Sequence, residues 1–500
     1  MVKTITIIGG GTAGWMAAAT LSRFLESGFA VRLVESDDIG TVGVGEATIP
    51  QIRLLNQALG IDEADFVRSC QGTFKLGIEF TDWLRPGHSY IHAFGDIGRP
   101  LGLLEFHHYW LRAQAEGFNS GLDAYSLSAV AARSNAFANV VPGQQGGVPV
   151  TYAYHFDAAL YANYLRKYAE GNDVKRHEGR IVSTQRDGES GHVASVTLEN
   201  GDIIAGDIFI DCSGFRGLLI EEVLETGYED WTQYLPCDRA LAVPCSNAPT
   251  LTPYTRSTAR KAGWQWRIPL QHRIGNGHVY SSRHISDDEA TAMLMGNLDG
   301  EALAEPRPIK FTTGRRRKFW NKNVIAMGLA SGFMEPLEST SIHMIQTAIE
   351  RFLKFLPLGE INNADVNAYN AQTTFEYESI RDFLILHYHA NQREEAFWAE
   401  CRDMPIPESL RDKLQLFSAN GRLFRKADEL FTESGWLQVM LGQGMEPLGY
   451  HPLAHQISGE ELDGFLGSMR TLIEKQISAM PSHADFIAQH CAAQTCAAGE

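Results

Sequence analysis

Three glycines near the N-terminus have the spacing of a pyrophosphate-binding turn. Gly9, Gly11 and Gly14 follow the apolar run 4–8 in the pattern G-x-G-x-x-G and precede a helical pattern. Glycines at these positions permit a tight turn and bring the main chain close to a pyrophosphate, while the helix N-terminus supplies N–H donors. Glu35 ends the next predicted strand, where an acid hydrogen-bonds a ribose hydroxyl. The spacing therefore predicts a dinucleotide site for NAD or FAD.

Two later segments favour FAD over NAD. Residues 207–214 and 324–330 are each predicted to be a buried strand that runs into small residues. Large flavoproteins return the chain to the flavin through such segments, whereas a simple NAD domain does not need them. The sequence therefore predicts a flavoprotein.

A lysine and two glutamates are candidates for acid, base or nucleophilic chemistry. Lys75 lies in the alternating segment 73–80, which predicts a half-buried strand with the lysine on its less apolar face. Such a lysine is usually solvated, although an amine in a site can also bond an electrophile. Glu335 and Glu338 precede an apolar helical pattern that begins near Ile342. An acid there either complements the helix dipole or acts as a general acid or base.

Composition excludes several classes of protein. Of 500 residues, 43 are Lys or Arg and 60 are Asp or Glu, which gives a net charge of −17. A chain this acidic is a poor partner for nucleic acid or an anionic membrane, and no apolar run reaches the roughly 18 residues of a spanning helix. The seven cysteines lack metal-ligand spacing, so we expect a cytoplasmic protein without disulfides or a metal site.

Two further segments are predicted to be exposed. The basic run 315–318 is expected to form a solvated turn or a docking patch, given the acidic balance of the chain. The tail that holds Cys491 and Cys496 is rich in Ala and Gln and is expected to fray.

The sequence patterns that must position these residues predict an α/β fold. We expect short strands within 174–211, strands and loops over 240–310, and mainly helices from about residue 370 onward. No internal repeat or low-complexity linker separates these segments, which favours one interwoven body.

Three motifs resemble those of the flavin-dependent tryptophan halogenase family. They are Gly9-Gly10-Gly11-Thr12-Ala13-Gly14-Trp15, Gly43-Val44-Gly45-Glu46-Ala47-Thr48 and Trp264-Gln265-Trp266-Arg267-Ile268-Pro269. The last fits the W-x-W-x-I-P pattern that separates these halogenases from related flavin monooxygenases. Two further segments match: Tyr154-His155-Phe156-Asp157-Ala158 and Glu335-Pro336-Leu337-Glu338-Ser339-Thr340. The resemblance runs to about residue 400 and weakens beyond it.

The resemblance implies a halogenating reaction. Members of the family use FADH2 and O2 to oxidise chloride or bromide to hypohalous acid, which passes through a tunnel to a small aromatic substrate. There a lysine hydrogen-bonds the oxidant or becomes a haloamine. The matching positions imply that Lys75 and Glu338 are catalytic, with Glu335 as the competing acid. They also imply a halide site at Thr340 and Ser341, where a helix begins.

The resemblance further implies a set of FAD and substrate contacts. The expected FAD contacts are Gly9, Gly11, Thr12, Ala13, Gly14, Glu35, Glu46, Ala47, Val182, Gly328, Leu329 and Ile342. The expected substrate and tunnel contacts are His92, Phe94, Trp264, Trp266 and Ser339. For the two tryptophans, which would share one strand face, core packing is the alternative role.

The domain organisation expected for such a protein is a Rossmann-like FAD module of the flavin monooxygenase type. It would span residues 1–360, with interleaved substrate-binding segments at about 75–170 and 225–310. A mainly helical region over 361–500 would complete the substrate pocket.

The chain departs from the family pattern in three places. Ser341 stands where the family often has Gly, so the preference between chloride and bromide stays open. Ala93 stands where Pro is common, so a less rigid loop is expected there. No clamp for the charged groups of free tryptophan is apparent in 431–452, which holds Phe431, Glu433, Trp436 and Tyr450. We therefore expect a more open pocket that prefers indole or a substituted indole.

Two alternatives to a halogenase remain open at this point. One is a flavin-dependent aromatic monooxygenase or oxidase that uses no halide, and the other is a catalytically silent flavin-binding protein. No second Gly-rich motif for NAD(P)H is present, so a separate NAD(P)H-dependent flavin reductase is the expected partner. A homodimer is left open.

Overall fold

The computed structural model describes residues 3–38, 45–118, 120–141 and 148–493. Gly43 and Val44 of the second motif, and Cys496, lie outside these ranges. The chain forms two compact units that alternate along the sequence. The first unit comprises Met1–Gly72, Phe156–Thr232 and Lys310–Tyr377, and the second comprises Thr73–His155, Gln233–Ile309 and Glu378–Glu500.

The strands are numbered here in chain order. The first twelve are β1 (Lys3–Ile8), β2 (Phe29–Glu35), β3 (Gly45–Ala47), β4 (Thr73–Lys75), β5 (Gly77–Thr81), β6 (Ser89–Ala93), β7 (Val140–Val141), β8 (Val148–Pro149), β9 (Ala153–Asp157), β10 (Lys175–Glu178), β11 (Ile181–Arg186) and β12 (Val193–Leu198). The others are β13 (Ile203–Ala205), β14 (Ile208–Asp211), β15 (Tyr228–Asp230), β16 (Arg239–Cys245), β17 (Thr255–Arg260), β18 (Gly263–Pro269), β19 (Ile274–Tyr280), β20 (Arg307–Lys310), β21 (Gly314–Arg316), β22 (Trp320–Asn321), β23 (Val324–Ala326) and β24 (Gly332–Phe333).

The α-helices are numbered in the same way. They are α1 (Thr12–Phe24), α2 (Ile52–Ala58), α3 (Glu63–Ser69), α4 (Phe106–Ala115), α5 (Leu127–Arg133), α6 (Ala158–Glu170), α7 (Asp287–Met295), α8 (Ser341–Lys354), α9 (Asn363–His389), α10 (Ala396–Asp403), α11 (Glu408–Asn420), α12 (Glu433–Gly442), α13 (Gly459–Ile477) and α14 (His483–His490). Within the described ranges, no helix is both long and apolar enough to cross a membrane.

The first unit is built on a six-stranded sheet in the order β10-β2-β1-β14-β23-β22. All its neighbours pair in parallel except β22 and β23. The central strands are apolar on both faces, as parallel strands covered by helices require. A parallel sheet that starts from β1 and grows first to one side and then to the other is the dinucleotide-binding arrangement. Its ligand side is where the strands end at their carboxyl termini.

The second unit is built on a seven-stranded sheet in the order β20-β16-β19-β18-β17-β5-β6. From β16 to β6, neighbouring strands pair antiparallel except for the parallel pair β5 and β17. The short strand β4 pairs instead with β9, in antiparallel register from Thr73 opposite His155 to Lys75 opposite Ala153. The chain leaves this pair at Leu76 and enters the large sheet at Gly77. Lys75 therefore lies at the junction between two sheets.

Several sequence expectations need correction. Segment 73–80 is two strands rather than one. All its residues are buried except Glu79, which is partly exposed, and Lys75 is fully buried instead of solvated. Half of the basic run is not solvated, because Arg315 and Arg316 lie on β21 and are buried in ion pairs, whereas Arg317 and Lys318 are exposed. Arg315 pairs with Glu229 at 2.8 Å, and Arg316 pairs with Glu221 at 2.7 Å.

Three smaller expectations also differ from the structure. The helix α7 was not expected within 240–310. Cys491 does not fray, since it is buried and its carbonyl oxygen accepts from the side chain of Gln271 at 3.2 Å. Ala93 closes strand β6 and does not lie in a loop.

Candidate active site

The glycine-rich turn packs closely against the end of β14 and the start of helix α1. Gly9 has a φ of +105°, and a Cβ atom there would lie 2.4 Å from the carbonyl oxygen of Cys212, at the end of β14. A Cβ atom on Gly14 would lie 1.8 Å from the carbonyl oxygen of Gly9. The turn therefore requires glycine at both positions. Gly11 caps helix α1 without a side chain, which leaves the first N–H groups of the helix to a bound phosphate.

Glu35 lies directly against this turn, as its position at the end of β2 predicts. A Cβ atom on Gly10 would lie 1.4 Å from Oε2 of Glu35, so the carboxylate occupies the space above that glycine. Arg176 donates to Glu35 Oε1 at 2.6 Å, and Arg166 lies 3.6 Å from the same atom. The two arginines hold the carboxylate in place, and its oxygens are suitable hydrogen-bond acceptors for ribose hydroxyls.

Of the other residues expected to contact FAD, some are buried or lie in a tight turn next to helix α1, and Val182 is exposed. Gly328 follows β23 with a φ of +62°, and a Cβ atom there would lie 2.8 Å from Cβ of Ala13. Leu329 is in the same tight turn, and Ile342 is buried in the first turn of α8. Val182 lies on β11 with its side chain 63% exposed. The turn at Gly328 thus lies against the first turn of helix α1, whereas Val182 belongs to a separate three-stranded sheet of β11, β12 and β13.

Glu46, next to Ala47 in β3, has an unusual acidity. Burial of the carboxyl group, and to a lesser extent the charge of Asp157, raise the pKa of Glu46 to about 7. A carboxyl group with this pKa is partly protonated near neutral pH and can donate a hydrogen bond to an acceptor on a cofactor. The glycine-rich turn, the carboxylate of Glu35 and the uncapped N-terminus of helix α1 together fit FAD.

The segment that carries the candidate acid and the halide donors is tightly turned and buried. Glu338 ends a single turn of 3-10 helix, Ser339 adopts a left-handed conformation with a φ of +58°, and Thr340 caps helix α8. All three are buried. A non-glycine residue at positive φ is strained, and such strain is typical of sites where it fixes a functional geometry. Glu335 is buried as well, so burial does not distinguish it from Glu338.

Thr340 carries a buried hydroxyl group next to the start of helix α8. Its Oγ1 atom is buried and makes no hydrogen bond within the part of the chain that the structure describes. Ser341 begins the 14-residue helix α8, and the free N–H groups of its first turn carry the positive end of the helix dipole. A hydroxyl donor beside a helix N-terminus fits a small anion such as a halide ion.

Lys75 of the second unit is a fully buried ammonium group. Its Nζ atom lies 5.3 Å from the centroid of the Phe94 ring, within the range of a cation–π contact. Buried lysines are rare because loss of hydration penalises the charge. A lysine kept at such a position points to chemistry at the amino group more than to a structural role.

The strand before Lys75 is held by groups from two of the motifs. The hydroxyl of Thr73 donates to the carbonyl oxygen of Pro269, the last residue of the W-x-W-x-I-P motif, at 2.7 Å. With its only proton used there, Thr73 accepts from Nδ1 of His155 at 2.9 Å. Nε2 of His155 then accepts from the hydroxyl of Thr255 at 2.9 Å. Burial, with a smaller effect from Lys75, holds the pKa of His155 well below its usual value, so the ring is neutral.

Trp264 and Trp266 lie on β18 with ring centroids 6.1 Å apart, and both are buried. Trp264 contacts Trp83 at a centroid distance of 6.2 Å. The Nε1 atom of Trp266 has no hydrogen-bond partner among the described residues. Trp264 is thus part of an aromatic core, whereas Trp266 retains a donor for another group.

His92 joins an aromatic cluster with residues from the C-terminal region. Its ring centroid lies 5.6 Å from that of Phe383 and 6.1 Å from that of Phe431. Phe383 and Phe431 stack at 3.7 Å, and Trp436 contacts Phe383 edge to face at 4.8 Å. The side-chain amide of Gln438 bonds the main chain of Ala93 twice, accepting from its N–H at 2.9 Å and donating to its carbonyl oxygen at 3.1 Å.

The expected site residues therefore fall into two sets. The first unit holds the predicted FAD and halide residues with Glu338 and Ser339, and the second holds Lys75, His92, Phe94, Trp264 and Trp266. Sequence reasoning did not assign a role to His155, His483 or Gln438. Only His155 had a signal in the sequence, since it lies in a quoted motif.

Comparison with known proteins identifies close relatives. The family model described as tryptophan halogenase matches residues 4–459. The tryptophan 6-halogenase of Streptomyces toxytricini is 36% identical over 82% of this chain and 83% of its own. The tryptophan 7-halogenase of Lentzea aerocolonigenes is 32% identical over 98% of both chains. Among solved structures, a flavin-dependent halogenase from Xanthomonas campestris is 48% identical, with a TM-score of 0.96 over 99% of both chains. The likeness thus extends well beyond residue 400.

Proposed function

The chain belongs to the tryptophan halogenase family, with the α/β fold and the flavin-dependent halogenating activity that its motifs predicted, and we propose how it uses them. We propose that it halogenates indole or a substituted indole with chloride or bromide, with Lys75 as the group that presents the oxidant. The first unit would serve as the FAD module and the second as the substrate module. The observation that carries this proposal is the fully buried ammonium group of Lys75 beside Phe94.

Lys75 has a defined part in the transfer of halogen. The chemistry that reduced FAD supplies with O2 is the two-electron oxidation of halide to hypohalous acid. The Lys75 ammonium group donates a hydrogen bond to the oxygen of that acid, which makes the halogen more electrophilic. As the aromatic carbon bonds the halogen, the oxygen–halogen bond breaks and the oxygen leaves as water with the proton of Lys75. The ring then loses its proton to a base, for which Glu338 is the candidate and Glu335 the alternative.

The halide ion would bind at the start of helix α8. The buried hydroxyl of Thr340 and the main-chain N–H of Ser341 are donors suited to a chloride or bromide ion. The turn at Gly9 to Gly14, with Glu35, would hold the pyrophosphate and ribose of FAD. Reduced FAD would arrive from a separate flavin reductase, because the sequence has one Gly-rich dinucleotide motif.

The C-terminal residues support indole over free tryptophan. An amino acid substrate needs partners for an ammonium and a carboxylate group. Glu433 accepts instead from the main-chain N–H of Arg425 at 2.9 Å, and Tyr450 bonds His455 at 3.1 Å. Phe431 and Trp436 pack against Phe383 and offer no charged group to an amino acid. This arrangement suits an uncharged aromatic substrate.

A reductase-coupled assay tests the proposal. The holoenzyme is supplied with reduced FAD and air, in chloride and in bromide, with indole and L-tryptophan in competition, and the products are identified by mass spectrometry. We expect halogenated indole in excess over halogenated tryptophan. Hydroxylated products without halogen would contradict halide use, and faster turnover of tryptophan would contradict the substrate class. Lys75→Met should abolish halogenation while release of hydrogen peroxide by the reduced flavin continues.

A further inference from the structure

A histidine outside every quoted motif holds the main chain next to Lys75. Strand β4 has β9 on one side only, and because the main-chain groups of an antiparallel pair alternate in direction, the N–H of Phe74 points away from β9. That N–H donates to Nε2 of His483 at 3.1 Å. The other ring nitrogen, Nδ1, bonds the carbonyl oxygen of Leu251 at 3.1 Å. The ring therefore carries its proton on Nδ1 and presents Nε2 as an acceptor.

The ring of His483 is fixed in this role. It is fully buried, and burial lowers the pKa of His483 to about 4, so the ring is neutral at the pH of a cytoplasm. A neutral ring keeps its acceptor, whereas a protonated one would turn a donor toward the N–H of Phe74. The acceptor is thus available wherever the enzyme is folded near neutral pH.

The segment around His483 is bound to the same region at several points. The main-chain N–H of His483 donates to Asn135 at 2.8 Å, and the N–H of Phe137 donates to Pro481 at 3.1 Å. Phe486, one turn further along α14, contacts the Phe74 ring edge to face at 5.4 Å. Helix α14 is therefore docked on the strand through both its main chain and its side chains.

Three of the four residues from Thr73 to Leu76 are consequently held by different segments. Thr73 is bonded to Pro269 and His155, Phe74 to His483, and the N–H of Leu76 donates to Pro253 at 2.7 Å. Lys75 lies between these anchors with its ammonium group over Phe94. A shift of the main chain at Phe74 would move the base of the Lys75 side chain directly.

We propose that His483 is a positioning residue for Lys75, one that fixes the strand through the N–H of Phe74. This inference rests on the proposed function of Lys75. It assigns a role in halogen transfer to the C-terminal helix, whose sequence carries none of the family motifs. Misplacement of a reacting group by about 1 Å can lower a rate by about 100-fold, so a loosened strand should lower transfer without affecting oxidation of halide.

The test compares two substitutions that separate the ring nitrogens. In H483Q the side-chain oxygen can reach the place of Nε2 and accept from Phe74. In H483N the shorter side chain can replace Nδ1 toward Leu251 but cannot reach Phe74. Holoenzyme of each variant is assayed for halogenated indole formed per reduced FAD consumed, with a soluble 1,3-diketone added to trap hypohalous acid that escapes.

We expect H483N to give about tenfold less halogenated indole per FAD, with trapped oxidant unchanged or increased, and H483Q to stay within about threefold of the parent. A parallel fall of product and trapped oxidant in H483N would contradict the inference, since that pattern indicates general damage. Equal losses in both variants would also contradict it. If H483N does not fold, H483Q decides alone: a loss of more than about tenfold overturns the inference.

Failure of the inference can be told from failure of the proposed function. If Lys75→Met halogenates as well as the parent, the proposed role of Lys75 is wrong, and there is no catalytic lysine for His483 to position. If Lys75→Met abolishes product while H483N keeps it, only the role of His483 is wrong. Thermal unfolding of each variant checks that the comparison is made on folded protein.

Discussion

The hydroxyl of Thr73 donates to the carbonyl oxygen of Pro269 at 2.7 Å, which connects the W-x-W-x-I-P motif to the strand that carries Lys75. Thr73→Val keeps the shape of the side chain and removes this bond together with the acceptor for His155. Because buried polar groups are left unpaired, we expect a loss of about 1–3 kcal/mol in the free energy of unfolding, measured in urea. Halogenated product per reduced FAD should fall as well. Thr73→Ser, which retains the hydroxyl, is the control, and an equal loss in both variants would show that the bond is unimportant.

The contact between Gly10 and Glu35 predicts a defect confined to cofactor binding. A methyl group on Gly10 would meet the Glu35 carboxylate, so Gly10→Ala should displace the acid that we assign to the ribose. We expect the Kd for FAD to rise by about tenfold or more, measured by fluorescence titration, since a buried hydrogen bond to a charged group is worth about 1.5–3 kcal/mol. Gly28→Ala is the matched control, because a Cβ atom there meets nothing within 4 Å. Similar effects of both substitutions would argue against the role of Glu35.

The unpartnered hydroxyl of Thr340 predicts opposite effects on stability and on halide use. Thr340→Val replaces a buried hydroxyl that has no protein partner in the described chain with a methyl group, so the free energy of unfolding should be unchanged or slightly higher. The halide concentration needed for half-maximal product should rise by about threefold to tenfold, because the main-chain donor of Ser341 remains. Titration with chloride and bromide measures this. A loss of stability with an unaltered halide requirement would assign the hydroxyl to the fold instead.

Some features of the candidate site could be predicted from the sequence, and others could not. Gly9, Gly14 and Glu35 were predicted because the chemistry of a pyrophosphate turn depends on local spacing. The burial of Lys75 was not predicted, because the groups that enclose and hold its strand come from distant segments of the chain. The error at Arg315 and Arg316 has the same origin, since the acids that pair with them lie on other elements. Tertiary partners rather than local patterns decide whether a charged residue is buried.

Ala93 stands where the family commonly has proline, and its main chain is hydrogen-bonded to the side chain of Gln438. A proline at position 93 has no N–H, whereas Ala93 donates its N–H to Gln438 and so joins β6 to helix α12. Gln438→Leu should loosen Trp436 and the stack next to His92. We expect the KM for indole to rise by about threefold to tenfold with a smaller change in kcat, because the change affects ground-state binding. Steady-state kinetics with indole provides the measurement, and an unchanged KM would argue against this cluster as the substrate site.

Two of the buried neutral histidines, His278 and His483, predict loss of stability in mild acid. Burial lowers the pKa of His278 and of His483 to about 4, whereas the unfolded side chains titrate near 6.5. Between pH 6.5 and pH 4, the unfolded chain binds protons at these histidines that the folded chain does not bind. The free energy of unfolding should therefore fall as the pH drops through this range. Above pH 6.5 these histidines should not affect it. Each histidine contributes a slope of about 1.4 kcal/mol per pH unit. Urea unfolding at pH 7 and pH 5 measures the slope, and H483Q should remove about one such contribution. If the slope of H483Q equals that of the parent, His483 is protonated in the folded protein and cannot accept from Phe74.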